Sequence, residues 1–222
     1  MSLHIDSVYH AYKKKRVLRG AWLNCQQGQI LGVLGRNGSG KSTLLKILFG
    51  QIKAQQATIK VNQTWIKRPF EEPGLIAYLP QDHLLPNTLK VKQAIRLMLS
   101  NREMRNSLET DPMIAPHLNQ GVKTLSGGER RYLEIRIILG LQRCFSILDE
   151  PFTGIEPRYI EAIKTLIRHT SNQGIVITDH LYAHILDLCD EMMVIKGGQS
   201  HPAKSKEDLV KLHYLAPSLI SE

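Results

Sequence analysis

Cysteine, acidic residues and long apolar segments are all scarce in this sequence, and each shortage excludes a class of protein. Only three of the 222 residues are cysteines, and they are far apart with no C-x-x-C pair. This pattern argues against a disulfide framework or a zinc site and favours a reducing compartment. The first ten residues also lack the apolar stretch of a signal peptide. We therefore expect a cytoplasmic protein.

No segment reaches the roughly 18 uncharged apolar residues that a membrane-spanning helix needs. The most apolar stretch, residues 133 to 148, is interrupted by Arg136 and Arg143. We therefore expect a chain that does not cross a membrane, although it can lie against a protein that does.

The shortage of acidic residues leaves 29 Lys and Arg against 20 Asp and Glu, a formal charge of +9. Such a charge predicts an anionic partner, but nucleotides, nucleic acids and phospholipid headgroups all satisfy it. With 42% hydrophobic residues over 222 positions, the chain can bury a substantial core. The length predicts a single domain over residues 1 to 222, with a small inserted lobe.

Short apolar runs alternate with helical patterns along most of the chain, which predicts an α/β fold with a mainly parallel sheet. The runs predicted as buried strands are residues 30–34, 76–79, 145–148, 175–178 and 192–195. The segments predicted as helices are residues 42–49, 128–141, 157–169 and 181–188.

Three segments depart from this alternation. Residues 1–29 and 58–65 read as short strands of a small antiparallel layer, with the basic run at 13–16 in a turn. Residues 82 to about 124 contain several prolines and one amphipathic stretch at 91–99, which predicts a mostly helical insertion. The tail after residue 200 has helical character in SKEDLVKL and no readable chemistry.

The strongest local signal is GRNGSGKST at residues 35 to 43, which satisfies G-x-x-x-x-G-K-[ST] between a predicted strand and a predicted helix. Glycines let successive backbone N–H groups surround phosphate oxygens, and the helix N-terminus adds positive partial charge. Lys41 is expected to reach the β- and γ-phosphates, and the Ser42 hydroxyl to bind Mg²⁺. The predicted nucleotide-binding residues are Gly35, Asn37, Gly38, Ser39, Gly40, Lys41, Ser42 and Thr43.

Two adjacent carboxylates follow the apolar run FSIL at residues 145 to 148. In a protein with a phosphate-binding loop, a carboxylate at such a strand end can hold Mg²⁺, and its neighbour can deprotonate the attacking water. We assign these roles to Asp149 and Glu150 respectively.

A second glycine pair, in LSGGE at residues 125 to 129, has no lysine after it. Ser126 and Glu129 have the spacing of a capping box, which predicts an ordinary helix start. That interpretation does not explain Gly127 and Gly128, each of which costs about 1 kcal/mol in a helical turn relative to Ala. Glycines at a helix N-terminus indicate close approach of an anion. Because one chain has one Lys41 loop, we expect Ser126, Gly127 and Gly128 to face the nucleotide of a second copy.

These motifs together resemble the ATP-binding subunit of an ABC transporter. GRNGSGKST resembles its Walker A loop, LSGGE its signature motif and FSILDE its Walker B strand, in the order that the family has them. The resemblance implies a P-loop NTPase fold with a mainly parallel core sheet, an N-terminal antiparallel β layer and a small helical insertion. It also implies ATP and Mg²⁺ as ligands. The phrases SGGERR and ITDH are most similar to the ATPases of lipopolysaccharide export and branched-chain amino-acid uptake.

The resemblance implies three further site residues. Tyr12 matches the aromatic residue that stacks on adenine, with Tyr9 as its rival. Gln81 matches the glutamine that senses Mg²⁺ and the γ-phosphate and that links to the transport partner. His180 matches the switch histidine near the γ-phosphate.

Two features of the sequence depart from familiar patterns. Glu156 stands where the family usually has Asp, at a position that helps to tie the two nucleotide sites together, and its side chain is one methylene longer. His180 and His184 have the i, i+4 spacing of a zinc motif, but Leu181 occupies the position of its catalytic glutamate. We therefore expect Mg²⁺ and not zinc.

The resemblance implies an ATPase that pairs with an identical or related ATPase subunit and drives a separate transmembrane permease. Its expected location is the cytoplasmic face of the inner membrane, with no nucleic acid as partner. The alternative that the basic charge permits is a soluble ABC-type ATPase acting on nucleic acid. A small-molecule kinase shares the phosphate loop but leaves LSGGE unexplained.

Overall fold

A computed structural model describes residues 1–217, so the last five residues of the predicted domain, 218–222, lie outside it. Within that range the strands are β1 (Ser2–Tyr12), β2 (Lys15–Gln26), β3 (Ile30–Leu34), β4 (Gln56–Val61), β5 (Thr64–Trp65), β6 (Ile76–Leu79), β7 (Phe145–Asp149), β8 (Gly174–Thr178), β9 (Glu191–Lys196) and β10 (Gln199–Ala203). The α-helices there are α1 (Lys41–Phe49), α2 (Val91–Met98), α3 (Arg102–Glu109), α4 (Gly127–Gly140), α5 (Pro157–Arg168), α6 (Tyr182–Leu188) and α7 (Lys206–Lys211).

The core of the molecule is a six-stranded sheet in the order β10-β9-β3-β8-β7-β6. The five strands from β9 to β6 are parallel, and β10 pairs antiparallel with β9. This arrangement confirms the predicted α/β fold with a mainly parallel sheet. Because β3, β8 and β7 are parallel neighbours, the loops after their carboxyl ends meet at one edge, where α/β sheets bind ligands.

Alternate residues of the central strands pack on opposite faces of this sheet. Ile147 and Val176 belong to a core shared with α1, β1 and β2, whereas Leu148 and Ile177 belong to a core shared with α4, α5 and α6. Burial on both faces explains why the central strands read as continuous apolar runs.

The N-terminal layer is a four-stranded antiparallel sheet in the order β2-β1-β4-β5, as predicted. The basic run differs from its prediction, because only Lys13 and Lys14 form the turn, whereas Lys15 and Arg16 already belong to β2.

Strand β10 was not predicted, because its sequence QSHPA is polar and contains Pro202. Proline is tolerated there because β10 is an edge strand. Its Ser200 hydroxyl donates to the Trp22 carbonyl at 2.6 Å and accepts from the Trp22 N–H at 2.9 Å, which joins the two sheets.

Residues 82 to 124 contain α2, α3 and two short 3-10 turns, Ala115–His117 and Val122–Thr124. Helix α2 begins where the amphipathic stretch begins, and buries Val91, Ala94 and Ile95. Across residues 1–217, no helix combines the length and apolarity needed to cross a bilayer.

The start of β8 is packed too tightly for a side chain. A Cβ at Gly174 would lie 2.5 Å from the Phe145 ring and 2.7 Å from the Gln26 carbonyl oxygen. We predict that Gly174→Ala lowers the free energy of unfolding by about 1–3 kcal/mol through overpacking, as measured by denaturant titration. The control is Gly121→Ala, whose Cβ would have only Lys123 at 3.7 Å and whose φ of −71° suits alanine. Equal stability of the two variants would contradict this prediction.

Candidate functional site

The loops after β3, β7 and β8 surround an open pocket of about 470 Å³ at the carboxyl edge of the core sheet. Ten of the residues predicted for the site line it: Tyr12, Asn37, Gly38, Gly40, Lys41, Ser42, Thr43, Gln81, Glu150 and His180. The structure therefore brings together residues from five separate parts of the sequence.

The loop between β3 and α1 wraps the inner wall of this pocket. Gly40 has φ of 107°, a conformation that favours glycine, and a Cβ there would lie 2.8 Å from the Leu18 side chain. The Lys41 ammonium donates to the Gly35 carbonyl oxygen at 2.8 Å, across the mouth of the loop. Burial lowers the pKa of Lys41, whereas the nearby carboxylates of Glu150 and Asp149 oppose that shift. The loop therefore presents one buried cation to the pocket.

The Asp149 carboxylate is fully buried at the end of β7. It accepts hydrogen bonds from the Ser42 hydroxyl at 3.1 Å and from the Tyr78 phenol at 2.9 Å. Burial raises the pKa of Asp149, and the two hydrogen bonds counteract that rise. The oxygen atoms of Ser42 and Asp149 thus lie side by side, and oxygen is the ligand atom that Mg²⁺ prefers.

The three residues predicted as catalytic converge on one carboxylate oxygen. Glu150 Oε2 accepts from the Gln81 amide at 2.8 Å and lies 3.4 Å from His180 Nδ1. The Thr153 hydroxyl lies 3.5 Å from the same oxygen. Glu150 also has φ of 52°, which is unusual for a residue other than glycine and is typical of functional sites.

The aromatic residue at the outer rim of the pocket is Tyr12 and not its rival Tyr9. Tyr12 is the last residue of β1, its ring is exposed, and its phenol oxygen lies 3.5 Å from the Thr43 hydroxyl. Tyr9 packs instead over Gly20. Only Tyr12 of these two tyrosines lines the pocket.

The signature residues Ser126, Gly127 and Gly128 are not part of this pocket. Ser126 caps α4 in the predicted capping box, accepting from the Glu129 N–H at 3.2 Å while the Glu129 carboxylate accepts from the Ser126 N–H at 2.8 Å. Ser126 and Gly127 are exposed, whereas Gly128 is buried. The first turn of α4 thus presents two accessible residues outside the phosphate pocket of its own chain.

Gly128 has a reason for being glycine that the sequence did not reveal. A Cβ at Gly128 would lie 2.3 Å from the Tyr159 ring of α5, so the close packing of α5 on α4 excludes a side chain there. A Cβ at Gly127 would meet only the Gly154 carbonyl oxygen, at 3.7 Å. We expected both glycines to admit an anion, but packing within the chain accounts for Gly128.

Sequence reasoning missed Arg131, which fastens the site to α4. Its guanidinium donates to the carbonyl oxygens of Pro80 at 2.8 Å, Asp149 at 2.8 Å and Glu150 at 3.1 Å. Burial lowers the pKa of Arg131, and the Glu134 carboxylate opposes that shift. Its signal in the sequence was a charge inside the apolar pattern of α4.

Glu134, on the same helix, was also missed. It is fully buried and accepts from the backbone N–H groups of Leu84 at 2.9 Å and Leu85 at 3.2 Å. Its carboxylate also lies 3.3 Å from Arg130 Nε and 3.5 Å from Arg131 Nη1. Glu134 therefore ties α4 to the segment that follows Gln81.

Asp179 is a third buried group that the motifs did not indicate. Its carboxylate accepts from the backbone N–H groups of Phe152 and Leu181, each at 2.9 Å. Burial raises the pKa of Asp179, and these two bonds oppose the rise. Asp179 therefore fixes the loop that carries His180.

Glu156 and His184 are the two residues that departed from familiar patterns, and each contacts a neighbour within the chain. Glu156 precedes α5 and pairs with Arg158, with Glu156 Oε2 3.0 Å from Arg158 Nε, and both side chains are more than half exposed. The His184 ring packs edge-on against Phe152, with 5.2 Å between centroids. Among residues 1–217, no group of three or more His, Cys, Asp or Glu is placed to hold a metal. Mg²⁺ needs no such group, because it takes several ligands from water and phosphates.

Comparison with known proteins identifies the family. The family model described as ABC transporter matches residues 18–153, more than half of the chain. The chain belongs to the ABC transporter family. It is therefore an ATP-binding and ATP-hydrolysing subunit that drives transport.

Individual relatives agree with this assignment. An ABC transporter ATP-binding protein of Rhizobium meliloti is 33% identical over 202 residues, covering 85% of this chain and 75% of the relative. The lipopolysaccharide export system ATP-binding protein LptB of Escherichia coli K12 is 32% identical over 211 residues, covering 89% of this chain and 88% of the relative. A solved ATP-binding subunit of an ABC transporter has the same fold, with a TM-score of 0.83 at 22% identity over 100% of this chain and 97% of that one. None of these descriptions supports the nucleic-acid alternative.

The buried ion pairs of α4 generate a prediction about stability. Glu134→Ala would leave Arg130 and Arg131 without their buried partner, and removing one member of a buried pair costs about 3–5 kcal/mol. We expect a loss of unfolding free energy of that size in denaturant titration. The control Arg68→Ala removes an exposed pair with Glu71, which contributes about 0–1 kcal/mol. A Glu134→Ala loss as small as that of the control would contradict the role assigned to Glu134.

Proposed function

We propose that two copies of this ABC transporter ATPase, or one copy and a related subunit, associate head to tail and share two ATP molecules. Each ATP lies between the phosphate loop of one chain and Ser126, Gly127 and Gly128 of the other. ATP is then part of the interface, and its hydrolysis removes contacts that hold the chains together.

The observation that carries this proposal is the separation of the two motifs within one chain. Lys41 and Ser42 line the phosphate pocket, whereas Ser126 and Gly127 are exposed outside it. The N–H groups at the start of α4 are directed outward from the helix and favour negative charge. A second molecule can supply these groups to the γ-phosphate, whereas the same chain does not.

In the proposed reaction, Glu150 is the general base. Its carboxylate removes a proton from the attacking water, the water oxygen bonds to the γ-phosphorus, and the bond to the ADP oxygen breaks. Gln81 and His180, which both contact Glu150 Oε2, orient the carboxylate and the water. Glu150 lines the pocket and has a left-handed backbone, with φ of 52°.

The remaining pocket residues bind the nucleotide. Tyr12 stacks on adenine from the exposed rim. The loop from Gly35 to Thr43, with Ser39 at its centre, surrounds the phosphates. Asn37, Gly38 and Gly40 of this loop line the pocket.

The oxygen donors Ser42, Asp149 and Gln81 suit Mg²⁺. The fit is strongest for Ser42 and Asp149, whose oxygens already lie 3.1 Å apart at the pocket. When bound, Mg²⁺ neutralises charge on the β- and γ-phosphates.

We further propose that residues 1 to 222 form one domain with residues 82–124 as its helical lobe, on the cytoplasmic face of the inner membrane.

A surface formed by the region around Gln81 and by this lobe contacts a separate transmembrane subunit. Arg131 and Glu134 connect both sides of that surface, because they hold Pro80, Leu84 and Leu85 to α4. Opening and closing of the dimer is thereby transmitted to the membrane subunit as a population shift.

Glu156 replaces the family's Asp between the two sites, and its longer side chain pairs with Arg158.

Replacement of the general base separates binding from chemistry. Glu150→Gln keeps the shape of the side chain but cannot accept the proton, so we expect turnover to fall about 10²- to 10⁴-fold. The unhydrolysed ATP should trap a dimer, detectable by light scattering. The control Glu161→Gln alters an exposed glutamate of α5 and should leave both measurements unchanged. A Glu150→Gln variant that stays monomeric in saturating ATP would contradict the proposed dimer.

Complementation tests whether the site is shared. Lys41→Ala and Ser126→Arg should each be inactive alone, the first through loss of ATP binding and the second with ATP binding retained. In a mixed dimer, Lys41 of the Ser126→Arg chain faces the intact Ser126 of the Lys41→Ala chain. We therefore expect mixing to restore ATP hydrolysis in a steady-state assay. Loss of ATP binding by monomeric Ser126→Arg, or no rescue on mixing, would count against the two-chain site.

A further inference from the structure

A second cleft adjoins the nucleotide pocket and concentrates positive charge. It has a volume of about 290 Å³ and lies between the start of β2, the beginning of the phosphate loop and the turn that joins β9 to β10. Four of its ten lining residues are cations, and none of the ten is an aspartate or a glutamate. These four residues, which we call the cationic rim, are Lys15, Arg16, Arg19 and Arg36.

The side chains of the cationic rim are exposed and keep their charges unpaired. No ion pair among residues 1–217 includes any of them. The one side-chain hydrogen bond that they make within that range joins Arg36 to the His213 carbonyl oxygen at 3.3 Å, and a carbonyl does not neutralise the guanidinium. Four unpaired cations around one cleft produce a local positive potential.

A β-bulge in β2 gathers two of these side chains into the same cleft. Between Arg16 and Leu18, β2 has one residue more than the facing segment of β1, so that Val17 bulges. Arg16 and Arg19 are three positions apart, and in a regular strand their side chains would point to opposite faces. The extra residue restores them to one side, because bulges change the direction of the side chains that follow. Both arginines therefore line the second cleft.

The second cleft and the nucleotide pocket are continuous. Lys15, Val17, Asn37 and Gly38 line both of them. The backbone of Lys15 pairs with that of Tyr12, which lies at the outer rim of the nucleotide pocket. An anion that is attracted to the cationic rim is therefore already beside the phosphate loop.

Positive and negative side chains oppose one another at the inner wall of the nucleotide pocket. Lys41 and Glu150 both line it, and the buried Asp149 carboxylate lies 3.1 Å from the Ser42 hydroxyl. These carboxylates repel an approaching triphosphate before it has formed any hydrogen bond to the loop. Long-range attraction must come from charges outside this wall, and the adjacent cationic rim can supply it.

We propose that the cationic rim steers ATP into the nucleotide pocket, and that Arg16 and Arg19 act on the approaching nucleotide without becoming its ligands. This inference rests on the nucleotide site of the proposed function. Neither arginine lines the nucleotide pocket itself, so neither is placed to hold bound ATP. Steering raises the association rate constant, kon, and leaves the dissociation rate constant, koff, nearly unchanged.

The test is the double variant Arg16→Gln, Arg19→Gln. Binding of N-methylanthraniloyl ATP with Mg²⁺ to dilute monomer is followed by stopped-flow fluorescence, so that the result does not depend on the proposed dimer. Loss of two rim charges predicts a kon lower by about 5- to 30-fold at about 10 mM salt, where charges act over about 30 Å. At about 1 M salt, where they act over about 3 Å, the difference should shrink below about twofold. At both salt concentrations koff should stay within about twofold of the wild-type value.

Two further double variants separate steering from other effects of charge. Arg102→Gln, Arg105→Gln removes the same charge from α3, which supplies no residue to either cleft, and should leave kon within about twofold of the wild-type value. Arg16→Lys, Arg19→Lys keeps the charge without the guanidinium geometry. It should retain the wild-type kon, whereas a direct bidentate contact between arginine and phosphate would be lost.

Lys41→Ala distinguishes failure of this inference from failure of the nucleotide site. Wild-type binding of the labelled ATP by Lys41→Ala would overturn the assigned site and the inference with it. If binding requires Lys41 but Arg16→Gln, Arg19→Gln keeps the wild-type kon at low salt, steering alone is overturned. An equal loss of kon in the α3 variant, or a rise in koff in place of the fall in kon, would also overturn steering.

Discussion

The site depends on one buried guanidinium. Arg131 donates to the carbonyl oxygens of Pro80, Asp149 and Glu150, and so holds the ends of β6 and β7 against the same helix. A buried arginine is tolerated only because these oxygens and Glu134 satisfy its donors and its charge. Arg131 therefore holds the backbone of Glu150, whose φ is 52°, against α4.

Some residues of the site are held in place by the chain itself, whereas others are exposed and free to contact a nucleotide or a second chain. Asp149 and Asp179 are buried and hydrogen-bonded within the chain. Tyr12 and Ser126 are exposed, one at the rim of the pocket and the other on a separate surface. Such a division suits the proposed dimer, in which ATP and a second chain would contact the exposed groups.

Much of the fold could be predicted from sequence, because its strongest signals are local. Buried parallel strands read as apolar runs, and the phosphate loop carries its glycine pattern in nine consecutive residues. Strand β10 was missed because a polar edge strand with Pro202 has no apolar signal. Arg131, Glu134 and Asp179 were missed because each of them holds a backbone group that is distant in sequence, namely at Pro80, Leu84 and Phe152 respectively. Gly128 was explained by an anion alone because its contact with Tyr159 exists only once α5 has packed on α4.

That contact between Gly128 and Tyr159 lets α4 and α5 pack closely, since no side chain lies between the Gly128 backbone and the Tyr159 ring. At its other end, α5 is linked to α6 by Asp187, which lies 3.0 Å from Lys164 and 2.7 Å from Arg168. Helix α6 in turn begins two residues after His180. In the proposed dimer, these three packed helices lie beside one nucleotide at His180 and beside the other at Ser126. Each chain would therefore contact both nucleotides of the proposed dimer.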